Sequence, residues 1–308
     1  MRFLATYIMR GRLQAVLVAA ACAALALLLM PLGWPLSWVS AAVVGLVTLI
    51  QGPFEGLLST LGAAVLVGLL VFLAFGTPEP AFMLVLAAWL PAWLLAHFVR
   101  QSGSLSLGLL VGAGLGAVLV VGAHLAIGDP AEAWRHYVEQ VMLPTLQQAG
   151  VDSASQQQIK SQLSRAAPVL TGILAAVMTL GWLVALLLAR WWQAQLVRPE
   201  GFRREFHGLR LGRTMSVVGM LVVAVAAAVP GGLGTGAVNL AMVVAVLFLI
   251  QGLAVVHAIL ARQQASTGWL VGLYVLLLIV PHSILLLAAA GIADNWADFR
   301  ARVGAPRE

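Results

Sequence analysis

The sequence predicts an all-α protein, a polytopic transmembrane helical bundle with eight or nine spans. Of its 308 residues, 62% are hydrophobic and 9% are charged, whereas a soluble domain is about 45–50% apolar and about 25% charged. The apolar residues form unbroken runs of about 20, the length that crosses a hydrocarbon core of about 30 Å. Spanning β-strands would instead give alternating segments of about 10 residues. We therefore expect a single integral-membrane domain over 1–308.

The stretch from Arg190 to Arg213 sets the predicted orientation. It lies between two apolar runs and has only two acids, Glu200 and Glu205. Its six arginines are Arg190, Arg198, Arg203, Arg204, Arg210 and Arg213. Cytoplasmic loops collect Lys and Arg, so this loop is predicted to be cytoplasmic. The protein is then expected in the bacterial inner (cytoplasmic) membrane, multi-pass, with its N-terminus in the cytoplasm.

Residues 1–128 form a predicted N-terminal group of five spans. The spans are expected at about 13–30, 34–50, 57–75, 81–99 and 105–127, divided by Pro- and Gly-containing breaks. Three arginines precede the first run, and its AAACAA stretch offers a signal-peptide cleavage site. Because this run exceeds the 7–15 apolar residues of a signal peptide, we favour an uncleaved first span.

Residues 129–165 are predicted to be a polar periplasmic segment with amphipathic helices. Asp129-Pro130-Ala131-Glu132 is typical of a helix start, with Asp129 as N-cap and the proline at the first helical position. An amphipathic helix on the membrane surface should follow, and then a second polar helix ending at Arg165.

Residues 166–293 hold the C-terminal spans, and 294–308 are expected to be a surface tail. The spans should lie at about 168–189, 215–229, 237–260 and 269–292, with a glycine-rich turn at 230–236. Nine crossings would leave the arginines of the tail outside. Eight crossings would bring them inside, if Pro281 or the break at 51–56 creates a re-entrant segment. Both counts stay open.

The sequence lacks the residues that several classes of protein chemistry require. Lys160 is the only lysine among 17 basic residues, so the phosphate loop, which requires a lysine, is absent. We expect no enzyme, since no paired acid and base or activated nucleophile is recognisable. Cys22 is the one cysteine, and no cofactor or metal is expected. The arginines sit at span ends, where they face the lipid bilayer rather than nucleic acid.

Four polar residues are candidates for binding a small molecule of unknown identity: His282, Asn239, Gln251 and Glu55. Polar side chains at membrane depth usually face the bundle interior or a cavity. His282 follows Pro281, which frees a backbone carbonyl, so we expect its imidazole to be buried and hydrogen-bonded. Glu55 follows a Gly-Pro break that could expose backbone groups to a ligand. Structural hydrogen bonds, or a wet turn for Glu55, are the alternatives.

Small residues mark faces on three predicted helices. Ala15, Ala19 and Ala23 share one face of the first span, Gly108, Gly112 and Gly116 one face of the fifth, and Gly268 and Gly272 open the last. Small residues let helix backbones approach closely in a membrane. The alanine face either packs inside the bundle or docks another membrane protein, such as a coupling subunit.

Two stretches carry a resemblance to a known family. They are ARWWQAQLVRPEGFRREFHGLRLGR and GIADNWADFRAR. They resemble the YybS-like bacterial membrane proteins, a family of undefined biochemical role that is distantly similar to the S components of energy-coupling-factor transporters. Those components typically have six spans and dock a coupling subunit through an Ala-xxx-Ala face, which Ala15, Ala19 and Ala23 match.

The resemblance implies a small-solute-binding or uptake component that lacks its own ATPase. The extra spans and the segment 129–165 depart from that pattern, and no catalytic residue is implied. The alternative is a non-transporting membrane protein with a structural or assembly role.

Labelling of single cysteines tests the orientation. In a Cys22→Ala background, a membrane-impermeant thiol reagent on intact spheroplasts should label Ser155→Cys but not Gly208→Cys, because position 208 lies in the arginine-rich loop. After lysis both positions should react. Labelling of position 208 in intact spheroplasts would reverse the assignment.

Overall fold

The computed structural model of the protein describes residues 2–29 and 33–302, and every regular element in those ranges is helical. The α-helices are α1 (Arg2–Ile8), α2 (Arg12–Leu28), α3 (Trp34–Gln51), α4 (Pro53–Phe75), α5 (Glu79–Leu84), α6 (Leu90–Ser102), α7 (Leu105–Ile127), α8 (Pro130–Tyr137), α9 (Leu143–Gln148), α10 (Ser153–Val197), α11 (Gly201–His207), α12 (Arg213–Ala228), α13 (Gly231–Arg262), α14 (Gly268–Ile279), α15 (Ser283–Ala297) and α16 (Phe299–Arg302). Two π-helical turns, Val85–Trp89 and Val138–Met142, join α5 to α6 and α8 to α9. The predicted all-α class is confirmed.

Within the described ranges, six helical stretches are long and apolar enough to cross a membrane, judged by length and composition. They are α3, α4, α5 with α6, α7, α10 and α13. Four shorter apolar helices accompany them: α2, α12, α14 and α15. Predicted spans two to five therefore match long helices, while the first and seventh correspond to shorter ones. The predicted end of the first span at Met30 lies outside the described residues.

The predicted separation of a polar helix from the sixth span is wrong. Both belong to α10, a continuous helix of 45 residues that contains Pro168. A proline removes one helical hydrogen bond, but neighbouring helices can supply replacement partners. Here the side chain of Asn239 bonds two groups of the turn that follows the proline, the carbonyl oxygen of Pro168 and the N–H of Gly172.

Residues 231–236 of the predicted glycine-rich turn are helical, and only Val229 and Pro230 lie between α12 and α13. α13 begins at Gly231, whose φ is +79°. The chain reverses so tightly after α12 that a Cβ atom on Gly234 would overlap the carbonyl oxygen of Val229. The glycines are needed because α13 starts directly against the end of the preceding helix.

The last predicted span is two helices. α14 ends at Ile279 and α15 begins at Ser283. Pro281 cannot donate a backbone hydrogen bond. The hydroxyl of Ser283 donates to the carbonyl oxygen of Val280 at 2.6 Å. A side chain next to the break therefore supplies a hydrogen bond to a backbone carbonyl within it.

The chain divides into two compact units. Unit 1 consists of Met1–Ala113, Met178–Leu211 and Leu247–Glu308, and unit 2 of Gly114–Val177 and Gly212–Val246. α7, α10 and α13 contribute residues to both units. In unit 2, Asp129 accepts hydrogen bonds from the backbone N–H groups of Ala131 and Glu132 at 2.9 and 3.4 Å, as its predicted N-cap role requires.

The core of unit 1 is built around α3. Every residue from Ser40 to Leu49 is buried. The Ser40 hydroxyl donates to the carbonyl oxygen of Ala19 at 2.7 Å and accepts from the indole N–H of Trp89 at 2.9 Å. Since a polar group in an apolar core is costly without a partner, this relay ties α2, α3 and the first π-helical turn together.

A second tertiary hydrogen bond in unit 1 is explained by Pro91. Its missing N–H leaves the carbonyl of Ala87, four residues earlier, without its helical donor. The indole N–H of Trp182 on α10 donates to that carbonyl oxygen at 2.6 Å. The π-helical turn that contains Ala87 is thus held by a tertiary contact, which the predicted regular span did not include.

Glycines bring pairs of helices into close contact in unit 1. A Cβ atom on Gly252 would overlap the carbonyl oxygen of Leu287, and one on Gly291 would overlap that of Phe248, so the backbones of α13 and α15 touch. Gly108 and Gly112 on α7 meet side chains of α6 and α10 in the same way. By contrast, a Cβ atom on Gly272 has no neighbour within 4 Å, so this position is not packed inside the bundle, and docking of another membrane protein there stays a prediction.

The substitution Gly252→Ala should lower the thermal unfolding temperature of the detergent-solubilised protein. The obstructing atom is a backbone oxygen that cannot rotate away, and overpacking of this kind costs about 1–3 kcal/mol. Gly272→Ala is the matched control and should leave the unfolding temperature unchanged or slightly higher. Equal unfolding temperatures for the two variants would contradict the close contact of α13 and α15.

Candidate functional site

The four predicted ligand residues do not form one site. Asn239 belongs to unit 2, whereas Glu55, Gln251 and His282 belong to unit 1. Within unit 1, these three side chains have separate surroundings, described below.

Asn239 is bound to backbone of its own chain. The side chain is 1% exposed. Its Oδ1 accepts from the N–H of Gly172 at 2.8 Å, and its Nδ2 donates to the carbonyl oxygen of Pro168 at 3.1 Å. Both ends of the carboxamide therefore hold α10 against α13, which is the structural alternative to ligand binding.

Both ends of the Gln251 carboxamide likewise bind groups of the protein itself. It is fully buried, and its Oε1 accepts from the N–H of Leu211 at 3.0 Å. Its Nε2 donates to the carbonyl oxygen of Gly291 at 2.8 Å, and the amide of Asn295 lies 3.5 Å from Oε1. Gln251 thus joins the loop before α12 to α15.

Glu55 lies in the first turn of α4 and pairs with Arg12 at the start of α2. Its two carboxylate oxygens accept from Nε and Nη2 of Arg12 at 2.6 and 2.5 Å. The Arg12 side chain is 62% exposed, so this is an ion pair at the surface of the protein rather than a carboxylate inside a cavity.

The expected burial of His282 is wrong. The residue is exposed, and its imidazole makes no hydrogen bond to other described residues. It sits at the N-cap of α15, because the chain breaks at Pro281 instead of continuing as one span.

The alanine face of α2 packs inside the chain. Ala15 and Ala19 are 2% exposed and Ala23 is fully buried, and α2 packs on α3 and α4. Since this chain's own helices cover the face, it leaves no free surface for a coupling subunit. Internal packing is the alternative that the sequence also allowed.

The two stretches that carry the family resemblance meet at a buried ion pair that belongs to the second stretch. Arg300 is 4% exposed and Asp294 is fully buried, with 3.1 Å between Nη2 and Oδ2. The guanidinium also donates to the carbonyl oxygens of His207 and Leu209, each at 2.6 Å. We call Arg300, Asp294 and the backbone at 207–209 the motif junction. No periodicity signals it, because its parts lie far apart in the sequence.

Two further arginines support the motif junction. Arg210 pairs with Asp298 at 2.5 Å, and Nη1 of Arg262 donates to the carbonyl oxygen of Arg300. The predicted surface tail is therefore wrong for its first part, since Asp294, Asn295 and Arg300 are buried. Asp298 pairs with Arg210 rather than with Arg302, its neighbour at helical spacing.

An apolar pocket of about 600 Å³ lies in unit 2. Its walls come from the end of α7, from α12 and from the start of α13, with Leu125, Leu221, Val225 and Leu240 among the lining residues. No described side chain comes within 4 Å of a Cβ atom placed on Gly232. Pockets of about 300–1,000 Å³ with few polar groups are typical of small-molecule sites.

His124 is the one imidazole in the lining of this pocket. Its Nδ1 is 2.9 Å from the carbonyl oxygen of Val120, so that nitrogen carries the proton and donates. In the neutral form of the ring Nε2 is then an acceptor, and it lies beside Gly236 of α13. The glycines at 232 and 236 were predicted to lie in a turn; the juxtaposition of His124 with Gly236 depends on the reversal before α13.

The described residues contain no group of three His, Cys, Asp or Glu side chains that could hold a metal ion. The chemistry available in the pocket is therefore apolar contact and one hydrogen bond.

Long apolar helices, with buried polar side chains that bond backbone groups, define a multi-pass membrane protein. The chain belongs to the family described as Predicted membrane protein (DUF2232), which matches residues 15–295. No curated protein and no solved structure matches the chain.

Arg300→Met should destabilise the detergent-solubilised protein by about 3–5 kcal/mol, because removal of one partner leaves a buried charge uncompensated. Arg302→Met, an exposed position in the same short helix, is the control and should leave the unfolding temperature unchanged. Arg300→Met combined with Asp294→Leu should be less destabilised than Arg300→Met alone. Equal stability of Arg300→Met and Arg302→Met would contradict the motif junction.

Proposed function

We propose that this protein is a solute-binding subunit of the bacterial inner membrane that has no motor of its own. It holds a small, largely apolar molecule with one hydrogen-bond donor in the pocket formed by α7, α12 and α13. The observation that carries the proposal is an open pocket of about 600 Å³ lined by apolar side chains in unit 2.

The chemistry of the lining restricts the ligand. A charged molecule would lose its hydration without gaining an ionic partner, since none of the lining residues is an acid, a lysine or an arginine. The Nε2 acceptor of His124 suits a hydroxyl or a similar donor. The ligand is thus a compact apolar molecule with one polar end.

The position of the pocket suits uptake. In the proposed orientation, the loop 198–213 is cytoplasmic and the segment 129–165 is periplasmic, and the N-terminus is inside. The end of α7, the end of α12 and the start of α13 then lie on the periplasmic side. A solute arriving from the periplasm would reach this pocket without first crossing the membrane.

The resemblance to YybS-like proteins, and through them to transporter S components, supports the same class. The sequence has no phosphate-loop lysine, so energy for release would have to come from a partner ATPase. That partner would need a surface other than Ala15, Ala19 and Ala23, because those alanines are buried.

A structural or assembly role is the second candidate, and the motif junction favours it. The most distinctive stretches of the sequence meet in a buried contact made by an ion pair and by hydrogen bonds to backbone carbonyl oxygens. In this role the protein would bind other membrane proteins and carry no small molecule.

The test is extraction and mass spectrometry of the purified protein. Wild type should retain a discrete apolar compound in near-stoichiometric amount. Gly232→Leu should lose it, because the new side chain fills the pocket. Gly122→Leu is the matched control on α7: a Cβ atom there also meets nothing within 4 Å, and it should retain the compound. His124→Ala should weaken retention several-fold, as expected for loss of one hydrogen bond of about 0.5–1.5 kcal/mol.

A different outcome of the extraction would contradict the proposal of a bound solute. Recovery of only bulk phospholipid, in the same proportions from wild type and Gly232→Leu, would show that the pocket is filled by membrane lipid. Co-purification of membrane proteins without an ATPase would then favour the assembly role.

A further inference from the structure

A basic cleft of about 460 Å³ lies in unit 1, where α11 faces the end of α13. Arg203, Arg204 and His207 line it from α11 and Arg262 from α13, and Glu200 is the only acid in the lining. Small residues, Gly208, Ala258 and Ala261, also line it and leave room between the cations. We call this set the basic cleft; it is separate from the apolar pocket of unit 2.

The positive charge of the basic cleft is only partly compensated within the described chain. Arg204 and Glu200 are 3.6 Å apart, and their side chains are 81% and 79% exposed, a geometry that contributes little. Arg262 donates to the carbonyl oxygen of Arg300, which directs its guanidinium without neutralising it. Arg203 forms no ion pair with any described residue.

His207 completes the cleft with a neutral group. Burial lowers the pKa of its imidazole, and the nearby charge of Arg203 lowers it further. At neutral pH the ring is therefore uncharged and can donate one hydrogen bond. The cleft combines guanidinium groups with a neutral donor, a set that suits an anion with several acceptor oxygens.

We propose that the basic cleft binds the phosphate group of an anionic ligand. Guanidinium groups match phosphate oxygens in geometry, and they keep their charge at any physiological pH. α11 also carries two aromatic rings, Phe202 and Phe206, stacked with 5.7 Å between their centroids. Short arginine-rich loops lie close to the ends of membrane spans, where the phosphates within reach belong to phospholipid headgroups. Basic pockets beside transmembrane helices bind such headgroups.

Native mass spectrometry of the full-length protein tests this proposal with phosphatidylglycerol, phosphatidylcholine and inorganic phosphate as probes. Wild type should retain phosphatidylglycerol more strongly than phosphatidylcholine. Arg203→Gln should lower that retention about tenfold or more, since a hydrogen bond to a charged group contributes about 1.5–3 kcal/mol. Arg198→Gln removes the same charge from an exposed position outside the cleft and should retain the lipid as wild type does. Both variants should keep the wild-type unfolding temperature.

The probes distinguish a lipid headgroup from free phosphate as the source of the bound phosphate group. Retention of phosphatidylglycerol without protection by inorganic phosphate against unfolding identifies a lipid headgroup. Protection by inorganic phosphate, lost in Arg203→Gln, identifies recognition of the phosphate group itself. Equal losses of phosphatidylglycerol retention in Arg203→Gln and Arg198→Gln would show diffuse electrostatic attraction and overturn the site. The absence of binding by both phosphatidylglycerol and inorganic phosphate would also overturn it. None of these outcomes depends on a solute in unit 2.

Discussion

Polar backbone groups in hydrocarbon must find their partners within the protein, because no water is present to replace them. This constraint explains the polar contacts at the prolines of the long helices. The indole of Trp182 binds the carbonyl that Pro91 leaves free, and the amide of Asn239 bonds the turn after Pro168. In the break at Pro281, the hydroxyl of Ser283 donates to the carbonyl oxygen of Val280. These contacts allow interrupted helices to pack.

The same constraint separates structural polar residues from functional ones. Asn239 and Gln251 are buried because the backbone of neighbouring helices needs their carboxamides. Burial of a polar side chain at membrane depth is therefore weak evidence of a ligand site in this protein. The pocket of unit 2 shows the reverse pattern, with apolar walls and one imidazole nitrogen free to accept.

The motif junction and the basic cleft share one segment of the chain. Arg262 lines the cleft and also bonds the backbone of Arg300, while His207 lines the cleft and supplies a carbonyl oxygen to Arg300. Binding of an anion at the cleft would thus act on the same residues that hold α16 in place. The arginine-rich loop is a packed structure, although its composition alone indicates only an orientation in the membrane.

Composition and the length of the apolar runs determined that this is a helical membrane protein, since the hydrocarbon thickness fixes how many apolar residues a span requires. Local chemistry determined the N-cap at Asp129 and the bounds of α7. Only tertiary structure decided that α10 continues through Pro168 and that His282 is exposed, because a proline interrupts a helix or not according to the partners that its neighbours provide. The pocket beside His124 and the binding of Arg300 to the carbonyl oxygens of His207 and Leu209 were likewise decided by contacts between distant segments, which no local pattern encodes.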